Sequence, residues 1–310
     1  MDLSSINPIL LVASIMVSAT PILLAAIGEM VVEKSGVLNL GVEGMMITGA
    51  VIGFVVAINT GAPLLGFAIA AVAGAVVSLS FGVLTQVFLS NQVATGLGLT
   101  LVGLGLSSLV GKPYEGMKAE TLPKLDIPVL SDLPAVGQMF FSHDIMVYLS
   151  LLLVVAVWAF LKYTRAGLIL RAVGESHDSA HALGYKVIRV RMMAIMFGGA
   201  CAGLGGAYLS LVRVPQWTEG MTAGAGWIAL AIVVFASWRA GRVLIGAYLF
   251  GGITVLQLNL QAAGMTWGVQ YLSMSPYLIT ILVLVLISSN RAKGSHNAPA
   301  SLGQTFHATR

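Results

Sequence analysis

The chain has 310 residues, 57% of them hydrophobic and only 9% charged, whereas an ordinary soluble domain carries roughly 25% charged residues. That much apolar surface cannot be hidden from water in a fold of this size, which excludes a soluble enzyme or binding domain and leaves a lipid bilayer as the solvent. The net charge of +4 would suit nucleic acid, but the basic residues sit in loops between apolar runs, and the single cysteine, Cys201, excludes a disulfide framework.

Apolar runs occupy 8–28, 37–58, 64–89, 92–110, 145–161, 192–212 and 243–262, with weaker ones at 224–238 and 270–288. Crossing the hydrocarbon core takes about 20 apolar residues, and backbone groups cannot stay unpaired in lipid. The runs therefore predict an all-α, polytopic transmembrane bundle of about nine spans, within a range of about 8–10. The first basic residue is Lys34, so no positively charged region opens a cleavable leader, and the first run is expected to remain as a span. The membrane domain covers 1–290. Residues 111–143, with four prolines and mixed charge, read as an ordered external loop, and 291–310 as a polar, disordered tail.

Loop charge sets the orientation. With the 162–191 loop in the cytoplasm, alternation places Lys34, Lys162, Arg165, Arg171, Lys186, Arg189, Arg191, Arg239, Arg242, Arg291, Lys293 and Arg310 inside, 12 of the 16 basic residues. Lys112, Lys118, Lys124 and Arg213 stay outside among acidic residues. The N-terminus is then external and the C-terminus cytoplasmic.

Within the cytoplasmic loop, Ser176 can cap a short helix and Gly184 can end it in a left-handed conformation. Such an element, flanked by Arg171, Lys186, Arg189 and Arg191, suits docking into another protein's groove. The same charges would equally hold a linker on anionic headgroups.

Several stretches carry a resemblance. They are GEMVVEKSGVLNLGVEGMMITGAVIGF, NQVATGLGLTLVGLGLSSLVG, ILRAVGESHDSAHALGYKVIRVRMMAIMFGGACAGLGGAYLSL and TAGAGWIALAIVVFASWRAGRVLIGAYLFGG. In this order they resemble the permease subunits of ABC importers for branched-chain amino acids, ribose and nucleosides, above all the nucleoside (basic-membrane-protein type) permeases. The resemblance implies a bacterial inner-membrane protein that works by alternating access. It implies three partners: a cytoplasmic ATPase, a second related permease, and an extracytoplasmic binding protein or lipoprotein. ATP and Mg would be held by the ATPase, with no cofactor on this chain. Glu175, Ser176, Ala180, Leu183 and Gly184 would form the coupling helix that enters the ATPase, with Ala180 and Leu183 as apolar contacts. Sugar or branched-chain amino acid cargo is the alternative within the family, and an ion-coupled secondary transporter the alternative outside it.

Two motifs imitate chemistry. His177 and His181 stand at i and i+4 as in zinc-protease helices, but Asp178 replaces the Glu general base and no third ligand follows. The reading is of solvated polar residues on a docking helix. The run Gly105–Lys112 imitates a phosphate loop, with five residues between the glycines where four are required and Pro113 in the place of Ser or Thr. Neither a metal site nor a catalytic residue is expected.

Polar residues within spans are candidates for the substrate path. Asn39 and Glu43 share a helix face at i, i+4, Gln92 and Thr95 pair at i, i+3, and Gln257 pairs with Gln261 beside Asn259. Trp227 could stack on a planar ring. The same groups could instead bond only to one another between helices. Segments 36–53 and 220–238 are interrupted by glycine, a pattern that points to a central path and pairs the two segments.

Overall fold

In the computed structural model, which describes residues 8–126, 131, 136–263, 268–289 and 298–307, each apolar run contains a helix. In chain order they begin with α1 (Pro8–Lys34), α2 (Val42–Thr60), α3 (Pro63–Gly82, prolonged by a π turn over Val83–Val87) and α4 (Gln92–Gly111). The loop that follows holds β1 (Lys124–Asp126), α5 (Val136–Phe140) and β2 (Ser142–Asp144), with β1 and β2 antiparallel. Next come α6 (Ile145–Tyr163), the short α7 (Arg165–Glu175) and α8 (His177–Ala182), then α9 (Val187–Tyr208, prolonged by a π turn over Leu209–Arg213). The series ends with α10 (Ala225–Phe235), α11 (Ala240–Ala262) and α12 (Val269–Ser289). Among the described residues seven helices are long and apolar enough to span, and α10 is a shorter apolar helix. At 1.5 Å per residue α10 covers about 16 Å, roughly half the hydrocarbon core.

Helix starts follow local chemistry. Asn91, Asp144, Thr164 and Ser176 each accept a backbone N–H from the first turn of α4, α6, α7 and α8, which satisfies donors that have no partner inside the helix. Pro63 sits at the first turn of α3, where its missing N–H costs nothing.

The bundle is built around α1. Its residues Ser18–Glu33 are all buried, as expected of a helix that is apolar all round. It is enclosed by α9, α11, α10 and α6, while α2 and α3 complete the packing on α9. Small residues make these contacts. A Cβ added at Gly103 of α4 would stand 2.6 Å from the Gly44 carbonyl oxygen of α2, and one at Gly205 of α9 would stand 2.5 Å from that of Pro21 in α1. Gly49 and Gly203 bring the α2 and α9 backbones together in the same way. Lipid offers no hydrophobic drive between helices, so association depends on such close approach.

Two stretches within the bundle are not helical. The run beginning at residue 37 yields a helix only from Val42, leaving 37–41 irregular. Between α9 and α10, residues 214–217 meet the 112–126 loop through Glu115–Trp217 and Lys118–Gln216 bridges, and 218–224 turn back into the bundle. Gly36, Asn39 and Gly41 break the first stretch and Gly220 and Gly224 the second, in both cases by favouring turn over helix.

The two ends of the bundle differ. One carries the 112–144 loop. At the other, α7 meets the α1–α2 connection, and residues 298–307 fold onto both and onto α8. The expectation of a disordered tail therefore fails for 298–307, whose backbone bonds to Gly174 and Gly36; residues 290–297 and 308–310 lie outside the described residues.

Gly103→Val forces a branched side chain onto the α2 backbone and is expected to destabilise by about 1–3 kcal/mol or more. Gly98→Val on the same helix meets nothing within 4 Å and should leave thermal unfolding of the detergent-solubilised protein unchanged. Equal unfolding midpoints for the two variants would contradict this packing.

Candidate substrate path and coupling end

A cavity of about 1300 Å³ occupies the loop half of the bundle. Ser14, Ser18 and Pro21 of α1, His143 and Asp144 of β2, Arg213 at the end of the α9 π turn, Thr254 and Gln257 of α11, and Ser273 and Tyr277 of α12 all face it. Its floor is the head of α10, at Thr222, Ala223 and Ala225. Hydroxyls dominate the polar lining. The Asp144 carboxylate is already engaged: Oδ1 accepts the Met146 and Val147 amides at 2.9 and 3.2 Å, and Oδ2 accepts the Tyr208 hydroxyl at 2.8 Å. Arg213 and Lys124 supply positive charge on the wall. Such a lining can hydrogen-bond a neutral polar solute at many points without holding it by an ion pair.

Below the floor lies Glu43, buried at the start of α2. Its Oε1 accepts the Thr222 hydroxyl at 2.6 Å and the Gly224 amide at 2.9 Å, and its Oε2 accepts the Gly226 amide at 2.7 Å. The carboxylate thus caps α10 from another helix, satisfying orphan donors and facing the positive end of the helix dipole. Gly224 takes φ 84°, a conformation that favours glycine, and a Cβ at Gly226 would lie 2.6 Å from Glu43 Cα. Segments 36–53 and 220–238 do meet, at this point.

The other polar residues fall into two groups. Gln257 is on the cavity wall, its amide 3.4 Å from the Ser273 hydroxyl. Asn39, Gln92 and Thr95 are directed to protein neighbours. Asn39 Oδ1 accepts the Gly41 amide at 3.0 Å, and Gln92 Oε1 accepts the Leu38 amide at 2.8 Å. Both serve the irregular 37–41 backbone, which lipid could not satisfy; Thr100 adds its hydroxyl to the Leu40 carbonyl. Thr95 bonds Ser90. Asn259 bonds back to the Val255 carbonyl of its own helix. Trp227 is 47% exposed and lines a second, apolar cavity of about 410 Å³ between α10, α11 and α12. Asp144, Arg213 and Ser273, unassigned from sequence, are on the main wall. Only Asp144 carried a signal, as an acidic residue just before an apolar run.

At the opposite end, Ser176 accepts the Ser179 amide at the head of α8, and Gly184 follows it with φ +85°. Glu175, Leu183 and Gly184 are exposed and Ser176 half-exposed. Ala180 is not: it packs inward with Val173, Val187 and Phe306, so it cannot touch a partner at the surface. His177 is likewise buried, where a solvated side chain was the expectation. The reason is the same for both: residues 298–307 cover this side of α8. His177 Nδ1 lies 3.3 Å from Arg191 Nη2 and must be the acceptor, because a guanidinium only donates. Its proton is then on Nε2, 3.5 Å from Asp178 Oδ1. Gly105–Gly111 are helical residues of α4, so no phosphate loop forms there.

Two outcomes follow from this geometry. Glu43→Ala strands a hydroxyl and two amides, each unsatisfied donor costing about 1–3 kcal/mol, and should lower the unfolding midpoint far more than Gln257→Ala; comparable midpoints would remove Glu43 from this role. At the coupling end, burial first and the Arg191 charge second hold His177 below its ordinary value, with Asp178 opposing them. Docking of 298–307 is then fully stable above about pH 6.5, the ordinary imidazole value, and weakens as pH falls below it. A spin label at His307→Cys should gain mobility as the pH falls below about 6.5, and His177→Gln should abolish the transition.

Residues 11–287 match the family described as the permease component of the branched-chain amino acid transport system. The putative glucose ABC transporter permease protein TsgC13 of Haloferax volcanii is 41% identical, across 94% of this chain and 95% of its own. The guanosine ABC transporter permease protein NupQ of Bacillus subtilis is 33% identical, across 92% and 93%. The nucleoside ABC transporter permease protein NupC of Lactococcus lactis is 29% identical, across 89% and 92%. No solved structure matches. With most of its length covered by the profile and by relatives of the same kind, the chain belongs to the permease-component family of the branched-chain amino acid transport systems.

Proposed function

We propose that this chain is one of two permease halves of an ATP-driven importer in a bacterial inner membrane, with α7 and α8 on the cytoplasmic side. A partner ATPase docks on α8, and a binding protein delivers cargo to the 112–144 loop. The observation that carries this reading is the division of labour between the ends. A polar cavity opens on one side and closes on the Glu43-capped head of α10, while a short capped helix is exposed on the other. Closure of the ATPases would push α8 and shift the floor, exposing the cavity to each side in turn.

Nucleosides are the proposed cargo. The resemblance of the stretches around Glu43 and Trp227 favours them, as do the relatives named for guanosine and for nucleosides. The volume of about 1300 Å³ exceeds the roughly 300–1,000 Å³ of an ordinary tight pocket, which suits passage of a hydrated solute. Glucose is the second reading, supported by the printed name of the relative at 41% identity. Both cargoes present a hydroxylated ring to a hydroxyl-rich wall. Ion-coupled transport gains no support from Glu43, whose oxygens accept three protein donors.

In proteoliposomes holding the complete complex, ATP should drive uptake that survives collapse of ion gradients, and excess unlabelled guanosine should compete where glucose does not. Competition by glucose alone would move the cargo to sugars. Gly184→Val, which strains a left-handed residue with open space around it, should lower uptake while ATP hydrolysis continues. Uptake by this chain without an ATPase would overturn the proposal.

A further inference from the structure

Residues 298–307 bind five elements at this end of the bundle at once. The Ser301 amide donates to the Gly174 carbonyl at 2.9 Å, and the Ser301 hydroxyl stands between the Glu175 carbonyl and the His177 amide at 3.3 and 3.4 Å. These contacts hold the joint between α7 and α8. The Gly303 amide donates to the Gly36 carbonyl at 3.1 Å, in the connection between α1 and α2. The Gln304 carbonyl accepts Arg191 Nη1 of α9 at 3.1 Å and Gln92 Nε2 of α4 at 3.5 Å. Phe306 then closes the segment, 5% exposed, its ring edge-on to both His177 and His181 at centroid distances of 5.4 and 5.2 Å.

The elements tied together are not equivalent. α8 is the exposed docking element. Arg191 and Gln92 also bond the connection itself, at the Ser35 carbonyl and the Leu38 amide. A few residues on, that connection becomes Glu43 and the floor of the cavity. We propose that the C-terminal strap, seated by Phe306, is a positioning element of the transport cycle. It fixes α8 to the α1–α2 connection, so that displacement of α8 reaches the cavity floor in place of being lost in rotation of a two-turn helix. This inference rests on the reading of α8 as the site where the ATPase docks.

Its chemistry supports a clamp over a loose tail. Phe306 supplies the largest apolar side chain in a small cluster with Val173, Ala180 and Val187, against which Ile169 and Ile188 also pack. Emptying its place would lower the docked-to-undocked ratio roughly a hundredfold, the scale of a large-to-small core substitution. The remaining contacts are single hydrogen bonds at the membrane edge, each worth far less.

The test uses the full complex in proteoliposomes and reads two quantities, ATP hydrolysed and solute taken up. Phe306→Ala, and truncation before Ala298, should lower uptake per ATP roughly tenfold, within the usual range of coupling between sites, with hydrolysis continuing. Phe306→Leu should restore most of the ratio, and removal of Ala308–Arg310 alone should change nothing. Wild-type uptake per ATP in Phe306→Ala would overturn the inference. Leu183→Asp on the exposed face of α8 separates it from the underlying reading: if that variant also transports normally, it is the ATPase docking site that is wrong. Should truncation prevent assembly, spin labels at Ala182→Cys and His307→Cys decide the matter. Their separation should stay constant between nucleotide-free and ATP-bound complexes, and a strap that parts from α8 during the cycle contradicts the clamp.

Discussion

Unpaired backbone inside an apolar solvent is the constraint from which the rest of this structure follows. Two chain segments leave helical geometry within the bundle, 37–41 and 218–224, and lipid cannot satisfy their amides there. Side chains do so. Gln92, Asn39 and Thr100 serve the first segment, and the Glu43 carboxylate serves the second through Thr222, Gly224 and Gly226. A charge so placed is costly by itself, yet three donors and a helix N-terminus offset that cost and tie the two halves of the chain together there. The cavity floor stands on that tie.

This arrangement joins the two ends of the molecule. The α7–α8 end touches the connection between α1 and α2, and the connection leads into the residue that caps α10. The polar cavity and the exposed short helix thus share one short run of irregular backbone. Irregular backbone is the natural place for movement, because it has fewer repeating hydrogen bonds to break than a helix does.

Much of the helical bundle was legible in the sequence, because apolar run length is a direct consequence of the bilayer. The glycine interruptions mark both segments as discontinuous, but their contact through Glu43 is not legible from sequence. The roles of the polar residues were harder to read. Asn39 and Gln92 announce themselves as intramembrane amides, but whether such an amide faces solute or backbone depends on where the helix breaks, and α2 starts five residues later than its apolar run. Ala180 and Leu183 could not be oriented from a helix of six residues, which has no face until its neighbours are known. The tail was misread for a related reason: 298–307 has no periodicity, and its order comes from partners such as Gly36 and Arg191 that lie far away in the chain.

The glycine contacts among α2, α4 and α9 have a mechanical consequence. Where two backbones touch directly, as at Gly44 with Gly103 and at Gly49 with Gly203, no flexible side chains lie between them to absorb sliding. These helices, with α1 and α3, form a stiff block that translates or tilts as one body. The same kind of contact ties α10 and α11 to that block, at Gly226 with Glu43 and at Gly251 with Ala19, so open space for a shift lies beside α12, in the apolar cavity of about 410 Å³ next to Trp227.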